Sequence, residues 1–370
     1  MRRIETKQLK PNMVVARSVS HGNTNVLAQA GMVLTVEAIK RLTELGIAAV
    51  YIREQYVPET IEPEHVIPDI LRLETVALAR ANLSEAENYL KLDLNRVADT
   101  VNSIIDELLA SDDIVVQLTG IRAFDDCLFT HSVNVCVLSI VIGISLNYNK
   151  SRLIELGVGA LLHDIGKTRI SPAILNKPDD LTRRECEQVK RHTTYGFEML
   201  RNCAELSLLS AHIAFQHHER WDGQGYPRGL RGELIHEYAR IVAVADVYAA
   251  LLADRPYRPA YTVNQALNIL ERMTGVYLDP RPVSALVSNI AVYPVGSLVE
   301  INTGCIGMVM EVNKAAPTRP VIRIMVNNSG RQLKRTRLID LSKSTTVMIV
   351  RALNDEDVDK LNLRQYVSVT

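Results

Sequence analysis

Several absences narrow what this 370-residue chain can be. It lacks an excess of either charge, with 42 Lys+Arg against 42 Asp+Glu, so composition points to neither nucleic acid nor an acidic membrane as partner. It lacks a cysteine framework: five cysteines without a CxxC pair read as reduced thiols, which argues against a disulfide scaffold. It lacks a membrane-length apolar run. The longest, VNVCVLSIVIGISL (133–146), is too short for a bilayer, carries Asn and Ser, and reads as a buried core helix. The opening MRRIETKQLKP has no signal-peptide apolar segment, and no repeat, low-complexity tract or receiver-like acidic cluster stands out. A cytoplasmic protein without membrane insertion and without direct nucleic-acid binding is expected. With 47% hydrophobic and 23% charged residues, the chain has the composition of an ordinary folded protein.

What is present changes character along the chain. Residues 1–57 mix short β-prone runs (MVVARSV, AAVYI) with one helical stretch, TVEAIKRLTELG, which Thr35 is expected to cap and Gly46 to end. This reads as a small α/β module. Pro58, Pro63 and Pro68, interleaved with Glu and His65, mark a linker that opens a 58–110 segment. Apolar residues three and four apart then predict helices up to about 290, including one over about 84–111 (SEAENYLKLDLNRVADTVNSIIDELLA) that packs in a homodimer or buttresses a bundle. From 291 to 370 the period shortens. SLVEI, GMVMEV, VIRIMV and TTVMIV, separated by NTG and NNSG turns, predict a small antiparallel β-barrel. Arg331, Arg335, Asp340 and Ser342 loosely match a nucleotide-binding signature, but Thr345 stands where Gly is required, and a structural barrel is the better reading. The fold class is mainly α: a helical bundle at 111–290 between two smaller modules.

The histidines carry the chemistry. Of nine, seven lie between 131 and 236. His131 opens an apolar helix. His163 extends the stripe Leu153, Leu156, Ala160, with Asp164 after it, and Gly166 lets the chain turn sharply and bring Lys167 back. His192 lies in RHTTYGFEML, on a helix that Thr182 and Glu185 are expected to open as a capping box. His217 continues the stripe Leu206, Leu209, Ile213, with His218 beside it. Adjacent helical positions point about 100° apart, so one core face rarely absorbs both. Asp246 lies inside RIVAVADVYAALL, where a bare carboxylate costs several kcal/mol unless cations or donors compensate it. A single such histidine is more often a satisfied core residue. Five imidazoles and two carboxylates on or at the ends of apolar helices exceed that explanation. This donor set without thiolate suits Fe, Mn, Zn or Ni over Mg or Ca. It is also too large for one tetrahedral site, so two metals, bridged by a carboxylate such as Asp164, are expected.

HDIGK (163–167), HTTYG (192–196), HHERWDGQGYP (217–227) and ADVYAALLADRPYR (245–258) closely resemble the HD-GYP domain of the HD metal-dependent phosphohydrolases. The resemblance spans about 110–290. It implies a helical bundle that hydrolyses cyclic di-GMP to linear pGpG and on to GMP, through hydroxide bridging two metals, iron or manganese before zinc or nickel. The metal ligands it implies are His131, His163, Asp164, His192, His217, His218 and Asp246. Asp164 and Lys167 would be catalytic, and Lys167, Tyr226, Arg255 and Arg258 would meet substrate. A signalling protein docking at the GYP loop is the further partner implied. One departure matters: some members carry a Glu for a third metal where this chain has Cys127, which favours a two-metal centre and weakens the step to GMP. The alternatives are a catalytically weak cyclic di-GMP-binding module and an HD phosphohydrolase acting on another nucleotide.

Overall fold

The computed structural model of the protein describes residues 2–16, 18–21, 25–45, 47, 49–52, 67–87, 92–110, 127–175, 177, 179–253, 260–313, 316–353 and 357. The first elements are β1 (Arg2–Glu5), β2 (Val19–His21), β3 (Asn25–Ala28), α1 (Val36–Glu44) and β4 (Ala49–Ile52). β1 pairs antiparallel with β4, and β2 with β3. Leu34, Leu42, Val15 and Val50 fill their core. Thr35 caps α1 as expected, its side chain accepting from Ala38 N, while Gly46 lies outside the described residues.

The helical region runs through α2 (Asp69–Glu87), α3 (Leu94–Ala110), α4 (Cys127–Ser145), α5 (Lys150–Leu161), α6 (Pro172–Leu175), α7 (Arg183–Lys190), α8 (His192–Leu200), α9 (Leu208–Gln216), α10 (Glu237–Leu252), α11 (Val263–Met273) and α12 (Pro280–Ser288). One apolar core joins α3, α4, α5 and α8–α12. The expected single helix over 84–111 is a correction: α2 ends at Glu87 and α3 begins afresh at Leu94. Asp93 accepts from Arg96 N at 3.1 Å as an N-cap, and Asn82 Oδ1 accepts from Asp93 N at 3.0 Å, pinning the turn. α3 buttresses the bundle, with Val97, Val101, Ile104 and Ile105 buried in that core. The run 133–146 is the buried helix expected, and among the described residues no helix is long and apolar enough to cross a membrane.

The last strands, β5 (Leu298–Ile301), β6 (Ile306–Glu311), β7 (Val321–Val326), β8 (Gln332–Asp340) and β9 (Ile349–Ala352), form an antiparallel sheet in the order β8-β7-β6-β5-β9. Both hairpin turns read from sequence are there, with Gly304 and Gly330 at positive φ. Among the described residues no ladder joins β8 to β9, so the expected barrel is seen only as an antiparallel sheet. Asp340 accepts from Ser342 N and pairs with Lys343, an ordinary turn role.

Backbone contact around two glycines sets how the bundle closes. A Cβ on Gly166 would overlap the His192 carbonyl oxygen and stand 2.5 Å from Gly196 N. The turn after α5 therefore lies directly on the backbone of α8, which brings His163 and Asp164 beside His192. At Gly143 the atoms that a Cβ would meet first are the tips of Leu153 and Leu156, which can move. Urea unfolding is expected to show Gly166→Ala losing about 3 kcal/mol and Gly143→Ala about 1 kcal/mol; equal losses would contradict this account of the closure.

Candidate metal centre

Three of the expected histidines stand at helix C-termini, where the last carbonyls lack helical partners. His163, just past α5, directs Nδ1 to Ala160 O at 2.7 Å. His192, after α7, directs Nδ1 to Val189 O at 2.6 Å. His217, capping α9, directs Nδ1 to Ile213 O at 3.0 Å and Ala214 O at 3.1 Å. A carbonyl only accepts, so each Nδ1 carries the proton and each Nε2 presents a lone pair. His192 explains a second departure from the sequence reading. The Thr182–Glu185 capping box is present, but it opens α7, and Arg191 separates that helix from α8. There the His192 ring takes the Val189 carbonyl and the Thr193 hydroxyl takes that of Lys190.

The three Nε2 atoms converge on Asp164. His192 Nε2 lies 3.4 Å and His217 Nε2 3.8 Å from Asp164 Oδ1, with His163 Nε2 3.4 Å from Oδ2. Lys167 donates to Oδ2 at 2.5 Å. His192 and His217 Nε2 are 3.4 Å apart. Ligand atoms of Asp164, His192, His217 and His218 lie within 4.8 Å of one another, as do those of His131, His163 and Asp164. On the second side His131, from α4, meets Asp246, from α10, with Nε2 and Oδ1 2.9 Å apart. Six of the seven expected ligands thus fall in these two groups, with Asp164 common to both, and Asp246 adjoins them through His131. Lys167 and Tyr226 are beside it. Arg255 and Arg258 lie outside the described residues, and so does the side chain of Cys127.

The centre fits divalent cations on its own chemistry. Asp164 is 2% and His163 1% exposed, yet Asp164 Oδ1 and His163 Nε2 have no hydrogen-bond partner. Orphaned buried polar atoms cost about 1–3 kcal/mol each. Two imidazole lone pairs facing each other at hydrogen-bond distance are repulsive until a cation stands between them. His163 and His217 stand at the negative ends of α5 and α9. Burial pulls His217 well below its ordinary pKa and His218 down to about 4. It lowers His192 as well. His163 moves upward, because the adjacent Asp164 carboxylate outweighs its burial. Burial opposes the charge on Asp164 and Asp246, but Lys167 and His163 hold the first well below the carboxylate range, and His131 lowers the second. The site therefore presents charged carboxylates and mainly neutral imidazoles, the protonation states a metal requires.

The loop after His218 closes over it. Gly223 takes positive φ, and a Cβ on Gly225 would stand 2.5 Å from Glu219 Cα and 2.6 Å from His218 O. Tyr226 N donates to His218 O at 3.2 Å, and the two rings lie 4.9 Å apart at 31°. Burial and the two carboxylates push the Tyr226 phenol up, so it stays a hydrogen-bond donor. Glu219, only 4% exposed, was not singled out by the sequence reading. The available signal was a carboxylate placed between two ligand histidines and a loop rich in unpaired backbone N–H groups.

Comparison with known proteins agrees with this geometry. Residues 123–281 match the HD domain model, and residues 298–361 match a KOW domain associated with HD domain. The chain is similar to the cyclic di-GMP phosphodiesterase PA4108 of Pseudomonas aeruginosa, 34% identical over 68% of this chain and 61% of that protein. It is also similar to the cyclic di-GMP phosphodiesterase response regulator RpfG of Xanthomonas campestris, 46% identical over 39% of this chain and 38% of that protein. The chain thus spans less than two thirds of the curated relatives it matches. Its fold is like that of Bd1817, an HDG"Y"P protein from Bdellovibrio bacteriovorus, with TM-score 0.53, 19% identity, and coverage of 77% of this chain and 97% of that one.

The metal-free site carries a pH signature. His217 and His218 are neutral in the fold but have an ordinary pKa near 6.5 when unfolded. Below 6.5 the unfolded chain binds more protons, so stability falls with pH until folded His218 itself titrates near 4. Chelator-treated protein is expected to lose about 4 kcal/mol between about pH 7 and 5 in urea unfolding, about 2 kcal/mol for each of these two histidines, and His218→Gln to reduce that slope by about half. A flat or rising profile would contradict these protonation states.

Proposed function

We propose, from the premise that residues 123–281 are an HD domain of the HD-GYP type, that the chain is a metal-dependent phosphodiesterase hydrolysing cyclic di-GMP. The observation that carries this reading is the convergence of imidazole Nε2 atoms from helix-end histidines on both oxygens of the buried Asp164. His192, His217 and His218 would hold one cation and His131, His163 and Asp246 the other, with Asp164 shared. Iron or manganese comes first, zinc or nickel second. Two such cations, when bound, acidify water and withdraw charge from a phosphodiester.

The chain's own groups supply the rest. Backbone carbonyls keep a proton on Nδ1 of His163, His192 and His217, which holds these rings in their ligand role. Lys167, already donating to Asp164 Oδ2, is placed to donate to a phosphate oxygen as well. The Tyr226 hydroxyl, kept protonated, donates toward substrate over the His218 face. The α4 and α10 faces behind the site are buried and largely apolar, which strengthens the charge interactions within it. Arg255 and Arg258 are assigned to phosphate or base by their motif alone. With Cys127 where some members carry Glu, the proposed centre holds two metals and the product is linear pGpG, with little GMP.

The test is turnover. Protein purified anaerobically and loaded with iron or manganese should convert cyclic di-GMP to pGpG, and EDTA should abolish this. Asp164→Ala should lose bound metal and fall by at least about 10³-fold in kcat, as expected when a group stabilising the transition state is removed. Activity surviving Asp164→Ala with full metal content would refute the site. Turnover of a different nucleotide alone would refute the substrate.

A further inference from the structure

Glu219 does what a turn residue need not do. Both oxygens of this buried carboxylate accept backbone bonds from the far side of the loop: Oε1 from Arg228 N at 2.8 Å and Oε2 from Leu230 N at 2.9 Å. Its own N–H donates to Gln216 O at 2.9 Å, which ties it to the end of α9 beside His217. One side chain therefore joins the helix that ends in the ligand histidines to the strand of loop that follows Tyr226. The other side of the loop is held separately. Trp221 N donates to Tyr277 O and Asp222 N to Val276 O, at 3.0 and 2.9 Å. The Glu219 bonds hold the chain just past Tyr226, and Gly232 N, donating to Trp221 O at 3.0 Å, closes the loop further on; a buried carboxylate is costly unless hydrogen-bonded, as it is here.

We infer that Glu219 is a positioning residue: by clamping residues 228–230 it holds Tyr226 against the His218 ring and sets substrate affinity, leaving metal binding and the chemical step to others. The inference rests on the proposed phosphodiester-hydrolysing site. Glutamine is the matched probe, being the same size but with one acceptor oxygen and an amide N–H that would face a backbone N–H. The chain contains a single tryptophan, Trp221, whose carbonyl accepts from Gly232 N at 3.0 Å, so its fluorescence is sensitive to the segment that Glu219 clamps.

In the metal-loaded full chain, Glu219→Gln should leave metal content unchanged and raise acrylamide quenching of Trp221 about twofold. It should also raise KM for cyclic di-GMP about tenfold with kcat within about twofold, the size of effect expected for one charge-assisted hydrogen bond acting on binding. In a Tyr226→Ala background the same change should add nothing to KM, because the effect runs through Tyr226. Gly225→Ala, whose Cβ would press on the backbone of His218, Glu219 and Arg220 while keeping the Glu219 carboxylate, should reproduce the KM rise and covers the case in which Glu219→Gln does not fold. Unchanged quenching and KM, a full KM effect in the Tyr226→Ala background, or loss of metal in folded Glu219→Gln would each overturn the inference. If the wild-type protein turns over no cyclic dinucleotide, the functional reading fails. Trp221 quenching and equilibrium dialysis with cyclic di-GMP then judge Glu219 by themselves.

Discussion

The interaction on which the site depends is a histidine Nδ1–H donating to a carbonyl at the end of a helix. It occurs at His163, His192 and His217, each time with a carbonyl three or four residues back. Helix ends leave such carbonyls without partners, and a histidine there satisfies one with its own ring. The bond fixes the tautomer and aims Nε2 outward along the helix axis. Three such histidines ending near one point then deliver three Nε2 lone pairs to the two oxygens of Asp164. Only a cation makes that arrangement favourable, so the apparent cost of the site in the metal-free chain is the source of its affinity.

That geometry needs close backbone approach, which glycine supplies. Gly166 lets the turn after α5 lie on α8, with Gly196 opposite it. Gly159 does the same between α5 and α9, where a Cβ would stand 2.9 Å from Ser210 O and also overlap Ile213. Added methyl groups at these places would move Asp164 and the histidines apart by the thickness of a side chain. The centre would then hold fewer ligands within reach. Packing and ligation are one constraint: the large core through α4, α5, α9 and α10 sets the helix ends, and the helix ends set the ligands.

Much of this was legible in the sequence, for physical reasons. The seven candidate ligands stood out because imidazoles and carboxylates are expensive on apolar helices, and their strings matched a known motif. The hairpins at Asn302–Gly304 and Asn327–Gly330 were legible because their glycines meet the turn conformation directly. The break between α2 and α3 was missed although Asp93 is a strong N-cap, because the apolar spacing runs on across it. The start of α8 at His192 was missed because its cause is a side chain bonding to a carbonyl, which periodicity does not register. Glu219 was hidden for a similar reason: its partners, the N–H groups of Arg228 and Leu230, become neighbours only once the loop has folded. Whether the final sheet closes is a matter of edge pairing that hairpin signals do not encode.

The central claim is that Asp164 lies between two cations held by separate histidine groups. Anomalous diffraction at the metal absorption edge, from crystals of protein loaded with a single metal, tests it most directly. The account predicts two peaks, one among His192, His217 and His218 and one among His131, His163 and Asp246, with an Asp164 oxygen facing each. One peak only, or peaks that leave Asp164 without a metal, would contradict it.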